Sequence, residues 1–171
     1  MRALSILAAM LLAGCGSEPA EQESAEDFAA RVGAGGTGAE GAPAPVETTA
    51  YKAPPPPNSD VLELEQLGNI SGVNLGPRAG GCAFSANGTE MLVAAGPRER
   101  ALPGKATVRV DGKLLLLDAP PGGFEAVRDG TVFNGEGFSV LVTKTGRDTA
   151  NMTVTDAQGR EKVFDGRWVC R

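Results

Sequence analysis

The chain has 171 residues, contains no histidine and carries a net charge of −5 at pH 7. The lack of histidine excludes Ser-His and Cys-His catalysis and removes the commonest neutral metal ligand. The acidity lies in residues 16–60, which hold eight acidic and two basic residues, whereas residues 61–171 hold thirteen of each. The C-terminal part therefore lacks the strongly basic surface that nucleic-acid binding requires.

The first fifteen residues predict export. Arg2 precedes an apolar run over residues 3–13, which has the length of a signal-peptide hydrophobic region and is shorter than the roughly 20 residues that span a membrane. The following residues, up to Cys15, read Leu-Ala-Gly-Cys and resemble the lipobox of bacterial lipoproteins. The resemblance implies a signal peptide over residues 1–14 and lipid attachment at Cys15. The alternative is an ordinary secretory signal with a cysteine after its cleavage site.

Gly16 follows Cys15, in place of the aspartate that inner-membrane lipoproteins often carry. The lipoprotein resemblance thus implies the outer membrane, with the protein facing the periplasm and held by its lipid. Residues 15–60 are rich in Pro, Ala, Gly and Glu and hold almost no large apolar residues, so we expect a disordered tether. A Gly-x-Gly-x-x-Gly run over residues 33–38 lacks the flanking strand and helix of a dinucleotide site. We expect no cofactor.

Residues 61–171 are predicted to form one all-β domain, a small antiparallel barrel or sandwich of about eight strands. Short apolar or alternating runs are separated by glycine pairs and by Asp-Gly or Asn-Gly turns, and no segment predicts a helix. Asp111 and Gly112 give the strongest hairpin signal, because both turn positions tolerate positive φ. The candidate strands are residues 62–67, 82–85, 90–95, 107–110, 113–117, 123–127, 131–133, 138–143, 152–155, 161–164 and 167–170.

Two cysteines, Cys82 and Cys170, lie within this domain. An exported protein meets an oxidising compartment, and an even number of cysteines there predicts a disulfide. Two free buried thiols are the alternative.

The order of features resembles the membrane-bound inhibitors of c-type lysozyme. These features are the lipobox, a cysteine near the start of a small β domain, an alternating strand ending in Asp-Gly, a glycine-centred loop, a strand ending in Lys-x-Gly and a closing cysteine. The resemblance covers residues 82–170 and implies an eight-stranded barrel with its two cysteines bridged. In that family a loop serine and a strand-end lysine enter the lysozyme cleft and meet its catalytic carboxylates.

The resemblance implies a partner-binding site at Asp129, Gly130, Phe133 and Lys144. Gly130 stands for the loop glycine, Phe133 for a tyrosine and Lys144 for the cleft-directed lysine, while Asp129 falls where the family has serine. A serine hydroxyl donates to a carboxylate, whereas an ionised Asp129 only accepts and repels the acids that it would face.

Simpler interpretations exist for two of these residues. Lys144 fits a solvated lysine at a strand end, which discourages pairing with other chains. Asp129 fits a turn residue whose side chain stabilises the bend.

We expect the domain not to be an enzyme, because its aspartates lie next to turns and a role in stabilising these turns accounts for their presence. We also expect no metal site, because the sequence shows no cluster of metal-ligating residues. The sequence predicts an outer-membrane lipoprotein whose β domain binds a protein partner, as a diverged lysozyme inhibitor. The alternative function is a structural or assembly lipoprotein of the cell envelope without inhibitory activity. A small ligand in the mouth of a barrel is a third possibility that architecture alone allows.

Overall fold

The computed structural model describes residues 49–171. The predicted signal peptide over residues 1–14, the lipid-attachment residue Cys15 and the greater part of the predicted tether lie outside the described residues.

The described chain forms a closed barrel of eight antiparallel strands in sequence order, which confirms the predicted fold class. Strand β8 closes the barrel by pairing with β1, from Cys82 opposite Cys170 to Ser85 opposite Arg167. The elements are β1 (Gly80–Ala86), β2 (Thr89–Gly96), β3 (Pro103–Val110), β4 (Lys113–Pro121), α1 (Gly123–Asp129), β5 (Val132–Asn134), β6 (Phe138–Lys144), β7 (Thr149–Asp156) and β8 (Glu161–Cys170).

The tight turns form where the sequence predicted them. Asp111 and Gly112 join β3 to β4 with φ of 47° and 75°, and Asn87 and Gly88 join β1 to β2 with φ of 51° and 80°. Two consecutive positive φ values match the twist of the flanking strands, and Asn-Gly and Asp-Gly adopt them with little strain. Each turn therefore sets the antiparallel pairing of the two strands that it joins, and both turns lie at the same end of the barrel.

Alternate residues of each strand fill the barrel with apolar side chains. The largest fully buried ones include Trp168, Phe84 and Phe133. Cys82 and Cys170 form a disulfide across the β1–β8 seam, as predicted, with their Cα atoms 4.0 Å apart. The bridge thus joins the two strands that close the barrel.

The segment 123–127 was predicted as a strand and is instead helix α1. Its two buried residues, Gly123 and Val127, are four residues apart, the spacing of one helix face. A Cβ atom on Gly96 would lie 2.6 Å from the Cα atom of Phe124, so the lack of a side chain on β2 lets the helix approach the barrel end. The glycine pair at residues 122–123 and the single Gly130 bound this seven-residue helix, and they concealed it from the sequence pattern.

The segment 62–67 was also predicted as a strand, and it forms turns with a single bridge between Glu65 and Arg109. Its apolar residues are buried against the barrel, and Leu67 has no exposed surface. The Arg109 guanidinium holds the segment in place by donating from Nε and Nη2 to the carbonyl oxygen of Leu67, at 3.0 and 2.8 Å. The apolar residues of this segment thus pack on the barrel without forming a strand of the sheet.

The packed region begins before residue 61, where the tether was predicted to end. The backbone nitrogen of Tyr51 donates to the carbonyl oxygen of Leu114, and that of Leu116 donates to Tyr51, at 3.1 and 2.8 Å. β4 pairs with β5 only at Asp118 opposite Asn134, so Tyr51 occupies an otherwise open part of the β4 edge. Lys52 donates to Asp118 at 2.6 Å, and this hydrogen bond raises the pKa of Lys52.

Candidate functional site

Three of the four residues predicted to bind a partner lie together at one end of the barrel. Gly130 follows α1, and Lys144 is the last residue of β6. A Cβ atom on Gly130 would lie 2.6 Å from the carbonyl oxygen of Val142 and 3.5 Å from the backbone nitrogen of Lys144. We call Asp129, Gly130 and Lys144 the rim surface.

The close approach at Gly130 depends on its lack of a side chain. Gly130 has a φ of 92°, and its backbone nitrogen donates to the carbonyl oxygen of Val127 at 3.2 Å, which ends α1. The next residue, Thr131, accepts a hydrogen bond from the backbone nitrogen of Val142 at 3.0 Å. The chain that leaves the helix is therefore fixed directly against the end of β6.

Trp168 on β8 makes hydrogen bonds to both helix α1 and the β6–β7 turn at this end of the barrel. Its indole Nε1 donates to the carbonyl oxygen of Val127 in α1 at 3.2 Å, and its backbone nitrogen donates to the carbonyl oxygen of Asp148 at 3.0 Å. Asp148 lies in the β6–β7 turn that follows Lys144. One buried side chain on β8 thereby anchors α1, while its own backbone anchors the turn.

The β6–β7 turn is closed by its own hydrogen bonds. The backbone nitrogens of Thr145 and Gly146 both donate to the carbonyl oxygen of Thr149, at 3.0 and 3.2 Å, and the hydroxyl groups of Thr145 and Thr149 are 3.2 Å apart. Lys144 is opposite Ala150 in the β6–β7 pairing. The backbone of Lys144 is thus fixed while its side chain is exposed to solvent.

The two charged residues of the rim surface, Asp129 and Lys144, differ in whether an oppositely charged side chain lies close to them. Asp129 is 67% exposed and lies 3.4 Å from Nε of the neighbouring Arg128. Among residues 49–171, no carboxylate lies within ion-pair distance of the Lys144 ammonium group. Lys144 therefore presents an uncompensated positive charge, whereas the negative charge of Asp129 is partly compensated by Arg128.

Phe133, which the resemblance placed in the site, is fully buried. It lies opposite Val140 in the β5–β6 pairing and belongs to the barrel core. A side chain in that position stabilises the barrel and does not reach a partner, so we remove it from the candidate site. Side chains of strand β5 point alternately toward and away from the barrel core, and the side chain that points inward is that of Phe133.

Two residues near the rim surface were missed from the sequence. Arg147 is exposed in the β6–β7 turn, three residues after Lys144, and adds a second positive charge. Its position between Gly146 and Asp148 is the signal of an exposed turn. Trp168 gave no such signal, because its hydrogen-bond partner Val127 is 41 residues away.

Over the range 49–171, no group of three or more His, Cys, Asp or Glu residues is arranged to hold a metal ion. In the same range no helix has the length and apolar character needed to cross a membrane. Comparisons of the chain with family models, with curated proteins and with solved structures find no match.

Proposed function

We propose that this protein is a lipoprotein of the bacterial outer membrane whose barrel faces the periplasm and binds a protein partner through the rim surface. Its most specific form is a diverged inhibitor of c-type lysozyme, in which Lys144 enters the enzyme's cleft. The barrel then acts by occupying a site and not by catalysis. The Leu-Ala-Gly-Cys sequence ending at Cys15 supports the lipid anchor.

The observation that carries the proposal is the contact of Gly130 with the end of β6. Gly130 directly follows Asp129 and contacts the backbone beside Lys144, and this contact supports a common site for two residues that are 15 positions apart in sequence. The resemblance requires a loop residue and a strand-end lysine to act on one cleft. Wide separation of these residues would have removed that basis.

The chemistry assigns the two side chains different effects. An ammonium group that enters a cleft holding two carboxylates gains charge-assisted hydrogen bonds, which are stronger than those between neutral groups. Asp129 has no proton to donate and repels the same carboxylates, so binding depends on Lys144 and is opposed by Asp129. The pair therefore predicts opposite effects for two single substitutions.

A lysis assay tests this function. The purified chain at tenfold excess is expected to slow cell-wall lysis by c-type lysozyme. Lys144→Ala is expected to weaken inhibition and Asp129→Ser to strengthen it. Lys113→Ala is the matched control, because Lys113 is an exposed lysine at the opposite end of the barrel, beside the Asp111-Gly112 turn.

An unchanged rate of lysis at that excess contradicts the proposed lysozyme inhibition. If an envelope protein then copurifies with the crosslinked chain, the alternative of a structural or assembly lipoprotein gains support. Labelling cells with a radioactive fatty acid tests the anchor separately. Label is expected on the chain and is expected to disappear in the Cys15→Ser variant.

A further inference from the structure

A groove of about 570 Å³ runs along the outer face of β1, and none of the residues of the rim surface lines it. Strand alternation turns Cys82 and Phe84 inward and places Gly81, Ala83 and Ser85 on the outer face. Larger side chains of β2 and β8 rise on either side of this narrow floor. An adjoining space of about 320 Å³ extends the groove past Ser85 toward the β1–β2 turn.

The strand pairing sets the order of groups along one wall. Arg167 is opposite Ser85, and Val169 is opposite Ala83. Arg171 exchanges two backbone hydrogen bonds with Gly81, at 3.0 and 2.9 Å. The wall therefore presents an arginine, a valine and a second arginine at alternate positions, and the two arginines are about 13 Å apart along an extended strand.

The other wall is mainly apolar. Val93 is opposite Ala83 from the β2 side, and Ile70 lines the groove beside it. Glu90 is the single acidic residue that lines the groove, and it lies opposite Ser85. An apolar side chain in the middle of the groove would thus contact both Val93 and Val169.

The groove offers side chains and not backbone groups to a ligand. β1 pairs with β2 on one side and with β8 on the other, so the ladder already uses its backbone donors and acceptors. Arg167 and Arg171 are exposed, and within residues 49–171 neither has a carboxylate at ion-pair distance. Their planar guanidinium groups suit bidentate contact with carboxylates.

We propose that this groove binds an extended segment of a partner protein that carries two acidic side chains four residues apart, with an apolar side chain midway between them. In an extended chain such residues share one face and are about 13 Å apart, the same spacing as Arg167 and Arg171. The middle side chain enters the apolar space over Ala83. Lysozyme inhibition at the rim surface is neither required nor excluded by this binding.

The test measures fluorescence anisotropy of labelled peptides with the purified full chain. The probe peptide is Ser-Glu-Thr-Val-Thr-Glu-Ser, and the reference peptide has glutamine in place of both glutamates. The probe is expected to bind, with an affinity that falls as salt is added, and the reference is expected to bind at least tenfold more weakly. Equal binding of the two peptides, or no binding at millimolar concentration, overturns the proposal.

Variants locate the binding on the protein. Arg167→Gln and Arg171→Gln are each expected to weaken probe binding roughly threefold to tenfold. Ala83→Leu fills the floor without changing the charge and is expected to abolish binding. Arg98→Gln, an exposed arginine outside the groove, is the matched control and is expected to leave binding unchanged. Wild-type affinity in the folded Ala83→Leu variant contradicts the groove as the site.

Discussion

The indole Nε1 of Trp168 donates a hydrogen bond to the carbonyl oxygen of Val127 at 3.2 Å, which ties helix α1 to the last strand of the barrel. Both residues are buried, so water does not replace this bond when it is lost. Asp129 and Gly130 lie two and three residues after Val127. The positions of Asp129 and Gly130, two of the three residues of the rim surface, therefore depend in part on this buried donor.

Trp168→Phe removes the donor and keeps an aromatic ring in the core. We expect a loss of roughly 0.5 to 1.5 kcal/mol in the free energy of unfolding, because the Val127 carbonyl loses one of its two hydrogen bonds and keeps the one from the backbone nitrogen of Gly130. Urea denaturation measures this loss. Amide hydrogen exchange is expected to rise selectively in residues 123–130, which the core variant Phe133→Leu does not reproduce. Unchanged exchange in α1 contradicts the role given to Trp168.

Arg109 attaches the turns of residues 62–67 to the barrel. It is 5% exposed and donates to the carbonyl oxygens of Leu67 and Gly112, the latter at 2.6 Å. Arg109→Met leaves these oxygens without their donor, and we expect a loss of roughly 2 to 4 kcal/mol in the free energy of unfolding. Arg98→Met on an exposed loop serves as the control and is expected to change stability little. Equal losses in the two variants contradict this account.

Asp156 makes the folded state sensitive to acid. Burial raises the pKa of its carboxyl group, but hydrogen bonds from the backbone and side chain of Arg160 and from the backbone of Gln158 outweigh burial and lower the pKa. A pKa lower in the folded state than in the unfolded state stabilises the fold above the unfolded value, near 4, and this stability is lost as pH falls through the folded value.

Asp156→Asn is therefore expected to be less stable than wild type at neutral pH. The difference is expected to shrink below pH 4, where the wild-type carboxyl group becomes protonated. Thermal denaturation between pH 2 and 7 measures it. Asp129→Asn is the control at an exposed position, and a difference for Asp156→Asn that does not vary with pH contradicts the assignment.

The disulfide between Cys82 and Cys170 closes a loop across 88 positions of sequence. In the chain-entropy model a loop of that length stabilises the fold by about 4 to 5 kcal/mol. The double variant Cys82→Ala/Cys170→Ala, compared with the oxidised wild type by urea denaturation, is expected to show a loss of this order. A loss of less than about 1 kcal/mol contradicts the chain-entropy estimate and indicates that the unfolded variant keeps residual structure.

The sequence predicted those parts of the fold that depend on neighbouring residues. The turn at Asp111 and Gly112 needs only two residues that accept positive φ, and the disulfide was predicted from the even number of cysteines together with the expectation of export. Helix α1 was missed because its support comes from Gly96 on β2 and from Trp168 on β8. No local pattern records contacts with such distant residues.

Only part of the candidate site could be predicted from the sequence, because its geometry also depends on contacts between distant residues. Lys144 and Asp129 were predicted from the resemblance, and the contact of Gly130 with the end of β6 places both residues at the same end of the barrel. Phe133 was placed in the site by matching a family position, whereas its alternation with exposed Asn134 turns it into the core. A residue's inward or outward direction in a three-residue strand depends on register, which the resemblance did not supply.

Isothermal titration calorimetry of c-type lysozyme with the purified chain measures whether Lys144 enters the enzyme's cleft. The titration is made with and without a chitin trisaccharide that fills this cleft. If Lys144 enters the cleft, the chain binds the free enzyme, and binding is strongly weakened by the trisaccharide and by Lys144→Ala. Absence of binding to free lysozyme, or equal affinity with the cleft filled, contradicts the proposed function of the rim surface.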